Sequence, residues 1–156
     1  MKLVSLLCAS LLICSAPFAQ NRPAGLMTDL VTDAGALYRD GYRLGKSVAE
    51  ASEAELGGCR FAAIRSSRPT FGWIVPDCGR GTRQRSYRII VADNAADAAA
   101  HRGNVWDSGE VRSAQSTAVV YGGGDLLPDR LYFWSVRVVT DTGGRSEWSA
   151  AEPFRT

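Results

Sequence analysis

The stretch from Tyr132 to Val138 constrains the fold most, because Tyr132, Trp134, Val136 and Val138 all fall on one face of a strictly alternating segment. A period of two, with large apolar side chains at every second position, belongs to a strand that buries one face. Asp141-Thr142-Gly143-Gly144 follows as a turn into an adjacent strand that carries Ser146-Glu147-Trp148-Ser149, and Pro153-Phe154-Arg155-Thr156 closes the chain. This is the ending of a β-sandwich module, and the expectation is of a module without an enzyme attached.

The other strand signals agree. Gln84 to Ala92 places Tyr87, Ile89 and Val91 on one face, and Arg85, Arg88 and Ile90 on a solvated one. Asn94 is positioned to cap an alanine-rich helical turn from Ala95 to His101 that Gly103 ends. Val105 to Gly109 and Thr117 to Tyr121 read as short strands, and Gly122-Gly123-Gly124 breaks the second. Seven or so antiparallel strands with frequent turns, beginning near Arg60, predict an all-β sandwich of fibronectin-type-III or immunoglobulin type over 59–156. Trp73 and Trp134, with Phe71, Tyr87, Ile89 and Val136, are its expected core.

Upstream, Lys2, an apolar run from Leu3 to Ile13 and small residues through Ala19 have the layout of a secretory leader, with 1–19 removed after Ala19. Ile13 is too bulky for the position before a lipid-anchored Cys14, and no segment suits a transmembrane helix. The expected location is therefore periplasmic or extracellular. Residues 20–58 read as a partly ordered leader arm, with a short helix in Ser47 to Leu56. The net charge of +2 is spread along the chain, which argues against nucleic acid as a partner.

Cys59 and Cys78 are the cysteines left to an exported chain, in a compartment that permits disulfides. If Phe61–Ile64 and Phe71–Val75 pair about a turn at Ser66-Ser67-Arg68-Pro69, Ile64 opposes Trp73 and Cys59 opposes Cys78. The alternatives are a disulfide, which would contribute on the order of 3 kcal/mol for a loop of about 20 residues, and two buried free thiols.

The runs Ala63-Ile64-Arg65-Ser66, Pro69 to Trp73, Gln84 to Ala92, Trp106-Asp107-Ser108-Gly109-Glu110-Val111, Leu131 to Val138 and Ser146 to Ser149 occur in an order that resembles the N-terminal module of bacterial α-L-rhamnosidases, glycoside hydrolase family 78. Leu37-Tyr38-Arg39-Asp40-Gly41-Tyr42 is similar to the segment that precedes it. The resemblance implies an accessory sandwich ahead of further β-domains and a helical barrel, where two carboxylates hydrolyse terminal α-L-rhamnose with inversion. It implies no catalytic residue here, since Glu50, Glu53, Glu55, Glu110, Glu147 and Glu152 match no catalytic motif of that family. The implied partners are the downstream domains of a parent rhamnosidase and rhamnose-containing glycans.

No cofactor or metal is expected. His101 is the lone histidine without a second ligand at suitable spacing, and Asp125, Asp129 and Asp141 sit where turn aspartates cap backbone amides. Arg137 is placed to lie over Trp148 as a structural cation–π pair. The alternative is a stand-alone carbohydrate-binding or adhesion module in which Trp106 or Trp148 meets a sugar. Trp106 lies on a short edge strand, from which it can face either a neighbouring domain or its own core.

Overall fold

The computed structural model describes residues 22–76, 81–142 and 144–156. The expected leader and Cys78 lie outside these residues. Strands β1 (Ala24–Thr28) and β2 (Val31–Thr32) form a hairpin; β3 (Ala36–Arg39) and β4 (Tyr42–Ser47) form a second, followed by a single helical turn, α1 (Glu53–Leu56). Then come β5 (Thr70–Ile74), β6 (Gln84–Ala92), α2 (Ala95–Ala99), β7 (Trp106–Asp107), β8 (Val111–Arg112), β9 (Val119–Val120), β10 (Leu131–Thr140) and β11 (Glu152–Arg155). Two antiparallel sheets, ordered β2-β1-β5-β9 and β11-β10-β6-β7 with β8 also on β6, face each other. The fold is the expected all-β, immunoglobulin-like sandwich.

The alternation of β10 points Tyr132, Trp134, Val136 and Val138 inward, and β6 matches it with Val91, Ile89 and Tyr87 opposite the last three. From the other sheet Phe71 stacks on Trp134 at 4.5 Å between ring centres, and Trp73 meets Tyr87 edge-on at 5.2 Å. The indole N–H of Trp73 donates to Gln84 Oε1 at 2.9 Å, so that buried donor is satisfied. The outer side of β6 is less solvated than its alternation suggests. Ile90 is fully buried, and Ala98 of α2 packs on Ala92 and Phe133.

Asn94 caps α2, accepting from Asp97 N–H at 2.8 Å. The helix ends at Ala99 with Ala100 as its C-cap, and the chain turns at His101, which has φ +51°, rather than at Gly103. The short helix expected within Ser47 to Leu56 is the single turn α1, where Ser52 and Glu55 form a reciprocal capping box.

Two expectations are corrected. Strands do not begin near Arg60, because β1 is hydrogen-bonded along β5 and Ala34 lies in the main core. Thr28 is fully buried and accepts the indole N–H of Trp134 at 3.0 Å, while the Asp29 carboxylate accepts from both Thr70 N–H and its hydroxyl. Second, residues 61–64 do not pair with β5, whose two edges are taken by β1 and β9. Ile64 N–H donates instead to Arg155 O at 2.8 Å, alongside β11. The register that would have brought Cys59 opposite Cys78 is therefore absent.

The Ser146–Ser149 element does more than continue a hairpin. Its backbone amides at Ser146 and Ser149 donate to Val138 O and Val136 O, and the two hydroxyls accept from Val138 N–H at 2.9 Å and Val136 N–H at 3.0 Å. Side chains thus complete a ladder that the backbone, drifting in register, cannot close alone. Replacing Ser149 with alanine is expected to orphan the buried Val136 N–H and cost about 1–3 kcal/mol, read from urea denaturation. A change below about 0.5 kcal/mol would refute that role.

Candidate functional site

The outer face of β10 and β6 gathers the chain's most organised surface side chains. Arg137 and Arg88 are directly opposed in register, a repulsive arrangement if left uncompensated. Asp107 on β7 answers one of them: Arg88 Nε donates to Asp107 Oδ1 at 2.8 Å, and its Nη2 pairs with Oδ2. Trp148 answers the other, with the Arg137 guanidinium carbon 4.8 Å from the ring centroid. His101 stacks on the same indole at 5.1 Å with planes 12° apart. Arg145 reaches Glu110 at 3.5 Å, and Ser86 donates to Glu110 at 3.1 Å.

The electrostatics follow from these neighbours. Hydrogen bonding from Arg88 holds the Asp107 carboxyl below its ordinary range, and Arg88 is raised by the same contact. Burial, then the charges of Arg145 and Arg88, lower Arg137. Burial and the nearby Arg137 lower His101 from its ordinary 6.5. The unfolded chain therefore takes up a proton at His101 more readily than the folded one, so this site's stability is present above pH 6.5 and falls as the pH drops below it. Thermal melts of the protein and of H101Q between pH 7.5 and 5 are expected to show the wild type losing more Tm on acidification than the variant; parallel curves would refute the coupling.

The Trp106-Asp107-Ser108-Gly109 element can now be read atom by atom. Trp106 is half-buried, edge-on to Tyr121 at 5.1 Å, and its indole lies so close to Gly122 that a Cβ there would sit 3.1 Å from the ring. Ser108 Oγ accepts from Ile89 N–H at 2.9 Å, Asp107 Oδ1 accepts from Gly109 N–H at 2.9 Å, and Gly109 has φ +62°. Each residue type in this run answers a local demand of the sheet edge. Trp106 packs in part against its own core and leaves part of its surface open.

Cys59 is half-buried beside Leu37, Val48 and Leu56, and its Sγ accepts from Arg39 Nη2 at 3.5 Å. Several acidic residues are committed to structural partners. Glu53 and Asp129 grip Arg155; Glu55 pairs with Lys46 and caps α1, which holds its carboxyl down to about 2; Glu50 accepts from Ser47. Burial raises the Glu152 carboxyl above its ordinary range. Among the described residues no group of three His, Cys, Asp or Glu is placed to hold a metal. None of the helices there is long and apolar enough to cross a membrane.

Sequence reasoning found Arg137 and Trp148 but missed His101 as the indole's second partner and Asp107 as the partner of Arg88. The signal for Asp107 was present, since a carboxylate beside a strand that carries an outward arginine is a candidate cross-strand pair. His101 joins Trp148 from a distant loop, and no local pattern announces that.

Known proteins are similar to this chain. The α-L-rhamnosidase of Streptomyces avermitilis is 42% identical over 93 residues, 60% of this chain and 9% of that protein. The α-L-rhamnosidase of Formosa agariphila is 36% identical over 93 residues, again 60% of this chain and 10% of that protein. The chain thus spans about a tenth of the length of these relatives. The crystal structure of the Streptomyces avermitilis enzyme complexed with L-rhamnose superposes with a TM-score of 0.56 at 41% identity, over 60% of this chain and 9% of that one. An α-L-rhamnosidase structure from Dictyoglumus thermophilum, 22% identical, shares the fold over 86% of this chain and 12% of its own, with a TM-score of 0.65. Residues 60–156 match the family described as "Rha78A-like, N-terminal immunoglobulin domain", and the chain belongs to that family.

Proposed function

We propose that this chain serves as an exported, non-catalytic accessory domain of an α-L-rhamnosidase polypeptide, packing against the domains that follow it. The observation that carries this reading is the family match over 60–156 in a chain that spans only about a tenth of its relatives. The first sheet supports a packing role. Strands β1, β2, β5 and β9 contain no charged residue, and Ile74 and Val120 are about 60% exposed on them. An apolar sheet surface of this kind suits a protein neighbour better than water.

The alternative, a stand-alone module that meets sugar through Trp106 or Trp148, would need an indole free to stack on a ring. Trp106 packs on Tyr121, and Trp148 is engaged by Arg137 and His101. The structural reading is therefore the stronger one.

The test has two parts. Purified protein is expected to release no rhamnose from an aryl α-rhamnoside, and activity that stays with it through purification would sink the proposal. An antibody to the sandwich, applied to exported protein of the source cells, is expected to detect a polypeptide many times larger. A band matching the chain without residues 1–19 would overturn the accessory role while leaving export intact.

A further inference from the structure

Gly122-Gly123-Gly124 follows β9 and lies against two aromatic rings. None of the three has a positive φ, so no turn there calls for glycine. A Cβ at Gly122 would sit 3.1 Å from the Trp106 ring, and one at Gly123 would collide with the Tyr121 hydroxyl, so these two positions need glycine for close approach. Gly124 meets nothing within 4 Å, and the closed structure would accept a side chain there. What a third glycine supplies is backbone freedom.

The segment is held at its ends. Tyr121 N–H donates to Pro69 O at 2.9 Å, and Leu126 N–H donates to Ser67 O at 3.0 Å. Between these anchors no backbone group of residues 122–125 has a hydrogen-bond partner among the described residues. The side-chain tie is from Arg68 Nε to Asp125 Oδ1 at 2.7 Å, an exposed pair. Underneath, Tyr121 is 1% exposed and its hydroxyl has no hydrogen-bond partner. A buried hydroxyl in that position has given up water and gained nothing in exchange, which raises the free energy of the closed arrangement. We propose that residues 122–125 form a strap that opens and closes over the edge-on Trp106–Tyr121 pair, moving between the anchors at Tyr121 and Leu126 and latched by Arg68 and Asp125. Closed, it covers the rings and leaves the phenol unmatched; open, it uncovers the indole and lets the hydroxyl reach water. The strap therefore controls access to Trp106, whose packing on its own core is partial. It stands apart from the accessory role, which holds whether or not the strap moves.

The test is ¹⁹F NMR of the protein carrying 5-fluorotryptophan, with the Trp106 resonance assigned by its loss in W106F. Relaxation dispersion on the microsecond-to-millisecond scale is expected at Trp106 and not at Trp73 or Trp134, which are buried in the core. Y121F removes the unmatched hydroxyl and keeps the ring. It is expected to raise Tm by about 3 °C and to lower the open population about fivefold, because the closed state alone carries the penalty. D125N undoes the latch and is expected to raise that population about twofold. G123A, whose Cβ would meet the hydroxyl, is expected to move the Trp106 resonance toward its open position. No dispersion at Trp106, equal dispersion at every indole, a Y121F variant less stable than the wild type, or a folded G123A with an unmoved resonance would each overturn the proposal.

Discussion

Deleting residues 22–58 is expected to unfold the sandwich, although the sequence presents this segment as an arm. The deletion removes β1 from the edge of β5, takes Ala34 out of the main core and strips the second cluster of Leu37, Val48 and Leu56. It also leaves one buried donor of the remaining sandwich unmatched and a second with only part of its pairing, since Arg155 keeps Asp129. The Trp134 indole N–H loses Thr28, and Arg155, whose side chain is only 12% exposed, loses the paired oxygens of Glu53. Loss of one strand pairing and several buried apolar side chains exceeds the roughly 5–15 kcal/mol that holds a domain of this size together. Circular dichroism and urea titration of 59–156 would test this. A cooperative transition close to that of the longer chain would show that the segment is dispensable.

The second large effect is expected at Trp134. Its ring is fully buried, stacks on Phe71 and spans the gap between the sheets to reach Thr28. Truncation to alanine leaves a cavity that neighbouring rings, fixed in two sheets, cannot fill, and should cost about 3–5 kcal/mol. The hydrogen bond can be separated from the packing. T28V keeps the shape and orphans the indole N–H, for an expected cost of about 1–3 kcal/mol, whereas T28V combined with W134F removes donor and acceptor together. A double-mutant cycle by chemical denaturation should give a coupling of about 1 kcal/mol or more. Additive losses would mean that the contact contributes nothing to holding β1 on the sandwich.

These two results bear on function because they concern what the domain can be. If β1 and Thr28 are part of its core, the functional unit begins ahead of the family match at residue 60.

How far the residues alone carried the reading can be followed strand by strand. The inward faces of β6 and β10 were legible because large apolar side chains recur there at every second position, although much of the outer face of both strands is buried as well. The Asn94 cap was legible because its acceptor and the amide it satisfies lie three residues apart. The cation–π pair was visible as a candidate because Arg137 is an outward position of a strictly alternating strand and Trp148 follows the next turn. The family resemblance carried the accessory role, which no single side chain displays.

What stayed hidden depends on contacts between distant segments. Ala24–Thr28 has a weak strand pattern of its own, and it becomes a strand only because β5 offers an unpaired edge with Gly72 opposite Met27. Phe61–Ile64 and β5 are neighbours in sequence with a plausible turn between them, yet β1 and β9 win both edges of β5 because they bring buried partners to the core. An open cleft between the β3–β4 hairpin and β11 likewise joins residues about 110 positions apart, from Arg43 to Glu152 and Pro153. The sequence by itself determined the sandwich class, the inward faces of its long strands and its local caps, since each follows from short-range periodicity. The tertiary structure alone decided which segment fills each sheet edge, which partner each polar group receives and where a cleft opens, because those outcomes rest on competition among non-local pairings that the order of residues does not rank.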